Sequence, residues 1–203
     1  MIYFITDGTA TVENFVEKKA KLIRLLKIAV ESKVSMVQIR EKQIPARMVF
    51  ELAVEAVKLT KKSETAIVIN DRADIALEAK ADGVHLTANS LPAKVIRQNF
   101  PENLIIGVSA HTLEKCETAR MQGANFVTFS PIYHSPDKGM PQGIERLKAV
   151  CERLKPFPVI ALGGIDETNF SEVLECGASG FAAIRFLNDE KNLSEINEKF
   201  HKK

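Results

Sequence analysis

Short runs of β-branched and aliphatic residues alternate along the chain with longer stretches whose apolar positions recur at helical spacing. The runs predict strands over Ile2–Ile5, Met36–Arg40, Ala66–Ile69, Gly83–Leu86, Leu104–Val108, Phe126–Phe129, Val159–Leu162 and Gly180–Ile184. Each is short, apolar and followed by polar residues or glycine. The stretches between them predict helices. Val12–Glu31 carries Phe15, Leu22, Leu25, Leu26 and Ala29 near helical spacing. Arg47–Lys61 follows Pro45, a residue suited to opening a helix. Asp71–Ala79, Ala93–Phe100, Leu113–Gln122, Ile144–Leu154, Asn169–Glu175 and Ser194–Phe200 complete the set.

Strands that read as continuous apolar runs are covered on both faces, and helical crossovers between them make the sheet parallel. Eight such units in 203 residues fit a closed (β/α)8 TIM barrel near its lower size limit, one domain over residues 1–203. The rival, a doubly wound open sheet, lacks a GxGxxG run after the first strand. No linker or low-complexity segment divides the chain. The long connection is Pro131–Gln142, and loops of that length in compact domains are often functional.

Composition narrows the class. Hydrophobic residues at 45% and charged residues at 27% describe an ordinary globular chain. A net charge of +2, with acids and bases interspersed, gives no electrostatic case for nucleic acid or an anionic membrane. No apolar run reaches the ~18 residues of a membrane span. The N-terminus meets Asp7 at once and lacks a basic n-region, so no signal peptide is expected. Cys116, Cys151 and Cys176 form neither a CxxC pair nor an even framework. They read as buried free thiols in a reducing compartment, hence a cytoplasmic protein. A homodimer is compatible with the sequence.

In a barrel, chemistry sits at the carboxyl ends of the strands. Strand two ends Gln38-Ile39-Arg40-Glu41-Lys42. Residues two apart face the same way, so Gln38, Arg40 and Lys42 could point together. Two inward cations are costly unless an anionic ligand or neighbouring acids such as Asp71 pair with them. Strand three ends Asn70-Asp71-Arg72; Asp71 could hold Mg²⁺, pair with Arg40 or cap the next helix. Strand four brings His85 and strand five Ser109, followed by His111. The four histidines lack the ligand spacing of zinc motifs. Strand six carries no lysine for a Schiff base, but its loop holds Ser135, Lys138 and Gly139 and could close over a ligand. Gly163-Gly164 after strand seven could bring backbone N–H groups to a phosphate or simply make a tight turn. Arg185 after strand eight could clamp that phosphate.

These strand ends, taken in order, resemble the thiamine phosphate synthase/TenI family over nearly the whole chain. The resemblance is carried by Val37-Gln38-Ile39-Arg40-Glu41-Lys42, Ile69-Asn70-Asp71-Arg72, Ala81-Asp82-Gly83-Val84-His85-Leu86, Gly107-Val108-Ser109-Ala110-His111, Ser130-Pro131-Ile132-Tyr133 through Lys138, and Ala161-Leu162-Gly163-Gly164-Ile165. It implies a transferase of thiamine biosynthesis acting on small phosphorylated substrates. Hydroxymethylpyrimidine pyrophosphate loses pyrophosphate with the help of Mg²⁺, and the ring nitrogen of thiazole phosphate captures the pyrimidine carbocation. Carried onto this chain, Gln38, Arg40, Lys42, Asn70 and Lys138 hold pyrophosphate and pyrimidine. Asp71 binds Mg²⁺, Ser109 faces the leaving group, His85 and Ser135 line the substrate site, and Gly163 and Gly164 cradle the thiazole phosphate.

The chain departs from the family pattern at three places. Ser90 stands where the synthases carry a second metal-binding aspartate, with Asp137, in the loop after strand six, as its substitute. Arg185 replaces a small hydroxyl residue near the phosphate. Pro131 occupies the position of the histidine used by the TenI branch for thiazole tautomerisation, leaving His134 as its substitute. The synthase pattern retains more of its residues. The alternatives are a tautomerase and a non-catalytic binder of thiazole phosphate or thiamine phosphate.

Overall fold

The computed structural model of the chain describes residues 1–136 and 139–201, the last without its side chain. Eight strands alternate with eight helices: β1 (Ile2–Ile5), α1 (Phe15–Glu31), β2 (Met36–Ile39), α2 (Ala46–Thr60), β3 (Ala66–Asn70), α3 (Ala73–Glu78), β4 (Gly83–Leu86), α4 (Ala93–Asn99), β5 (Ile105–Ala110), α5 (Leu113–Met121), β6 (Phe126–Phe129), α6 (Gly143–Leu154), β7 (Val159–Leu162), α7 (Phe170–Glu175), β8 (Gly180–Ala183) and α8 (Glu190–His201), with a 3-10 turn at Phe186–Asn188 before α8. The strands close into a barrel in chain order, the (β/α)8 fold expected from the alternation. β1, β2, β4, β6 and β8 are buried at every position, which is why they read as unbroken apolar runs rather than as alternating ones.

Contacts divide the chain into two compact units. One joins Tyr3–Val84 to the segment beginning at Ile184; the other joins Met1–Ile2 to His85–Ala183. In the β1–β3 unit, Gln38 lies opposite Ile5 on one side and Val68 on the other. Its core is built from Tyr3, Phe4, Ile39, Ile67 and Ile69, under Leu25 and Leu26 of α1. In the β4–β8 unit, Gly107 lies opposite Phe126 and Ser109 opposite Thr128. Phe170 of α7 stacks on Phe181 of β8 with ring centroids 5.5 Å apart. The three cysteines are buried free thiols of this unit. Burial pushes the Cys116 thiol up to about 12 and Cys151 to about 11. Among the described residues, no helix is long and apolar enough to cross a membrane.

Element ends differ from the sequence pattern where side chains intervene. Helix α1 begins at Phe15 instead of Val12, because Thr11 N–H donates to Asn14 Oδ1 at 2.7 Å and Asn14 N–H returns a bond to Thr11 Oγ1. That exchange closes a turn which the helix follows. Helix α8 begins at Glu190 instead of Ser194; Asp189 Oδ1 accepts Asn192 N–H at 2.9 Å and satisfies a first-turn donor.

Candidate functional site

In the β1–β3 unit, β2 delivers Gln38, only 2% exposed. Its Nε2 donates to the Tyr3 hydroxyl at 2.6 Å, so one amide proton is committed inside the protein. Burial pushes the Tyr3 phenol well above its usual value. β2 ends at Ile39, so Arg40 and Lys42 stand on the loop beyond it and strand alternation does not set their direction. This corrects the expectation that pleating aligns all three. The loop is fixed differently. Arg40 N–H donates to Thr6 Oγ1 at 2.8 Å, and the Thr6 hydroxyl donates onward to Glu41 Oε1 at 2.7 Å. Glu41 Oε2 accepts Ala10 N–H at 3.0 Å.

Arg40 is half-buried and its guanidinium lies over Gly8; a Cβ on Gly8 would come within 2.9 Å of Nη1. Gly8 has φ +73°, so it supplies both the turn and the space. Lys42 is exposed. Among the described residues, neither cation is in an ion pair, and the pairing of Arg40 with Asp71 left open by the sequence is not made. At the end of β3, Asn70 Nδ2 donates to Asp71 Oδ2 at 2.8 Å. Asp71 has φ +61°, a left-handed backbone that costs an L-residue about 1–2 kcal/mol. It is not a helix cap: α3 starts at Ala73, and Arg72 precedes it without a side-chain cap. Such conformations persist where the surroundings hold them, commonly at ligand sites. Arg185 is exposed and leads into the 3-10 turn.

In the β4–β8 unit, His85 is 2% exposed. Its Nε2 lies 2.9 Å from Ser109 Oγ and 3.5 Å from Thr128 Oγ1. His85 therefore backs Ser109 from inside the barrel wall, where the sequence suggested a direct substrate contact. His111 Nδ1 is 2.7 Å from the Ser130 carbonyl oxygen. The paired glycines have φ +104° at Gly163 and +67° at Gly164. A Cβ at Gly163 would sit 2.8 Å from Pro131 Cα, and one at Gly164 would sit 2.6 Å from the His134 carbonyl oxygen. Ile132 N–H and Tyr133 N–H donate to Leu162 and Gly163 carbonyls, each at 3.0 Å. The glycines thus admit the β6–α6 loop against the end of β7, a packing role that neither sequence alternative included. Tyr133 Oη donates to Glu172 Oε2 at 2.6 Å and pins the start of that loop.

Pro131 is buried in this contact, whereas His134 is exposed and Ser135 half-buried. Lys138 and Asp137 lie outside the described residues. Ser90 Oγ accepts Thr87 N–H at 2.6 Å, closing a turn after β4.

Among the described residues, no group of three His, Cys, Asp or Glu could enclose a metal. That pattern does not exclude Mg²⁺, which keeps several waters and is commonly held by one or two carboxylates and substrate phosphates. Asp71, its free-energy cost of backbone strain accepted and its carboxylate oriented by Asn70, fits such an anchor.

Glu41 and Thr128 are the residues that strand-end reading missed. Glu41 had a signal, an acid set between Arg40 and Lys42 in the run; Thr128 had none without the β5–β6 register.

The thiamine monophosphate synthase family model matches residues 2–187. The chain belongs to that family. It is 34% identical over 199 residues to the thiamine-phosphate synthase of Alkaliphilus oremlandii, covering 97% of this chain and 92% of that one. It is 35% identical over 185 residues to the thiamine-phosphate synthase of Clostridium acetobutylicum, covering 90% and 84%. Among solved structures, thiamine phosphate pyrophosphorylase from Pyrococcus furiosus superposes with a TM-score of 0.85 at 28% identity, over 99% of this chain and 95% of that one. Membership of the thiamine monophosphate synthase family, with its eight-stranded parallel barrel, makes this chain a transferase-type enzyme of thiamine biosynthesis.

Proposed function

We propose that the protein joins hydroxymethylpyrimidine pyrophosphate to thiazole phosphate, giving thiamine phosphate and pyrophosphate. The observation that supports this most is Arg40: a half-buried guanidinium over Gly8 that has no acid to pair with among the described residues. Such a group is stabilised by an anion that arrives with the substrate.

In this reading Arg40 and Lys42 bind the pyrophosphate, with Lys138 from the β6–α6 loop. Gln38 and Asn70 orient the pyrimidine. As the bond between the pyrimidine methylene and the pyrophosphate oxygen breaks, its electron pair leaves with the pyrophosphate. These cations stabilise the growing charge more strongly than they stabilise the bound substrate. Bound Mg²⁺, with Asp71 as its carboxylate ligand, would neutralise further negative charge on the same leaving group. Ser109 donates its hydroxyl proton to a pyrophosphate oxygen. Backbone amides at Gly163 and Gly164 hold the thiazole phosphate, with Ser135 and Arg185 beside it, so that the thiazole nitrogen lone pair forms the new C–N bond. No general base is needed, because the product is a thiazolium cation.

The whole chain acts as one barrel domain, and its buried thiols suit the cytoplasm. The tautomerase alternative gains nothing from the fold. Pro131 is buried at the histidine's place, and His134 packs through its backbone while standing exposed. Crystals soaked with thiamine phosphate, pyrophosphate and Mg²⁺ test the assignment. Pyrophosphate on Arg40 and Lys42 with the metal on Asp71 is expected; pyrophosphate bound elsewhere removes it.

A further inference from the structure

The ring of His85 is held in one orientation by its neighbours within the β4–β8 unit. A Cβ at Gly107 would collide with the Phe126 ring and come within 2.8 Å of His85 Nδ1, so only glycine leaves the ring its place. Phe126 packs against the imidazole with centroids 5.8 Å apart and planes at 47°. Gly107 and Ser109 lie two apart on β5, opposite Phe126 and Thr128 on β6, and therefore share a face. The rings fill one layer and the two hydroxyls the next. His85 Nε2 meets Ser109 Oγ at 2.9 Å, with Thr128 Oγ1 farther at 3.5 Å. Of these three polar side chains, His85 and Thr128 are buried and only Ser109 reaches accessible surface.

A neutral imidazole has one donor and one acceptor nitrogen. If Nε2 accepted, Ser109 would give its proton to His85 and turn only lone pairs outward, which repels an anion. If Nε2–H donates to Ser109 Oγ, the serine proton is left to donate to the ligand. The second arrangement is the one an anionic occupant selects. We propose that His85 is a positioning residue: as the Nε2–H tautomer it donates to Ser109 Oγ and so directs the Ser109 hydroxyl proton at the departing pyrophosphate. This rests on the proposed function for the identity of the anion, and on the fold for everything else. His85 itself touches no substrate and transfers no proton.

Two measurements test it. Nitrogen-15 NMR of the protein saturated with inorganic pyrophosphate should show Nε2 protonated and Nδ1 unprotonated in His85; the reversed tautomer overturns the proposal, whether or not the protein makes thiamine phosphate. In steady-state kinetics, Ser109→Ala should lower kcat roughly 10²-fold, and His85→Leu should lower it by most of that factor with little change in KM. His85→Leu in the Ser109→Ala background should cost nothing further, and His85→Gln, whose amide can place an N–H near the Nε2 position, should restore most of the rate. Additive losses, or no rescue by glutamine in a folded variant, would overturn it. A wild-type protein with no turnover sinks the proposed function instead, and the tautomer still decides the role of His85.

Discussion

Glu41 accepts the Thr6 hydroxyl at 2.7 Å, and through it ties the β1–α1 loop to the loop after β2 that carries Arg40. The other carboxylate oxygen holds Ala10 N–H, so one acid orders both ends of a short stretch of backbone. Glu41→Ala leaves two partly buried donors without an acceptor. The expected loss is about 1–3 kcal/mol, read as a lower urea midpoint at unchanged m-value. Glu41→Gln, which keeps one carbonyl acceptor, should lose about half of that. A loss no larger than the ~0.5 kcal/mol of ordinary surface changes would show that the loop is held otherwise.

Arg40 separates stability from activity. Its guanidinium has no ion pair among the described residues and lies over Gly8. Arg40→Ala should therefore change stability by no more than about 1 kcal/mol. The same variant should lower kcat/KM roughly 10²–10³-fold, because a preorganised donor to developing charge is removed. Arg40→Lys should fall between, keeping the charge without the planar fork. A variant that melts much earlier while its folded fraction stays fully active would contradict the assignment.

The glycines make a graded series. Gly164 combines φ +67° with a close backbone neighbour, Gly143 has φ +77° with open space around it, and Gly139 has open space with no positive φ. Alanine should cost about 2–4 kcal/mol at Gly164 and about 1 kcal/mol at Gly143, with almost no effect at Gly139. Thermal unfolding of the three variants checks the order. Equal shifts at Gly164 and Gly139 would mean that the β6–α6 loop does not pack on β7 as described.

Asp71 combines a strained backbone with a carboxylate that accepts from Asn70 Nδ2. Asp71→Gly releases the strain but adds chain entropy to the unfolded state, so stability should stay within about 1 kcal/mol of the parent. The Mg²⁺ concentration for half-maximal turnover should rise at least tenfold in Asp71→Gly and in Asp71→Asn. An unchanged Mg²⁺ titration would place the metal on other ligands.

The barrel was legible because its strands are buried on both faces and bounded by polar residues; β1, β4, β6 and β7 carry the bounds their apolar runs predict. The ends that moved did so for local reasons outside hydrophobic pattern, such as the Thr11–Asn14 exchange and the Asp189 cap. Gln38, Asn70, Asp71 and Ser109 could be picked out because they sit at strand ends. What they touch could not: His85 meets Ser109 across 24 residues of chain, a pairing fixed only by the alignment of β4 with β5. The glycine pair shows the same limit. Its sequence signals backbone freedom, while the neighbours that require it, Pro131 and His134, come from another loop.

The most direct test is turnover by the purified protein supplied with hydroxymethylpyrimidine pyrophosphate, thiazole phosphate and excess Mg²⁺, following both products. Thiamine phosphate and pyrophosphate appearing in equal amounts, and only when both substrates are present, is the predicted result. No thiamine phosphate from a folded protein that still binds both substrates would contradict the account.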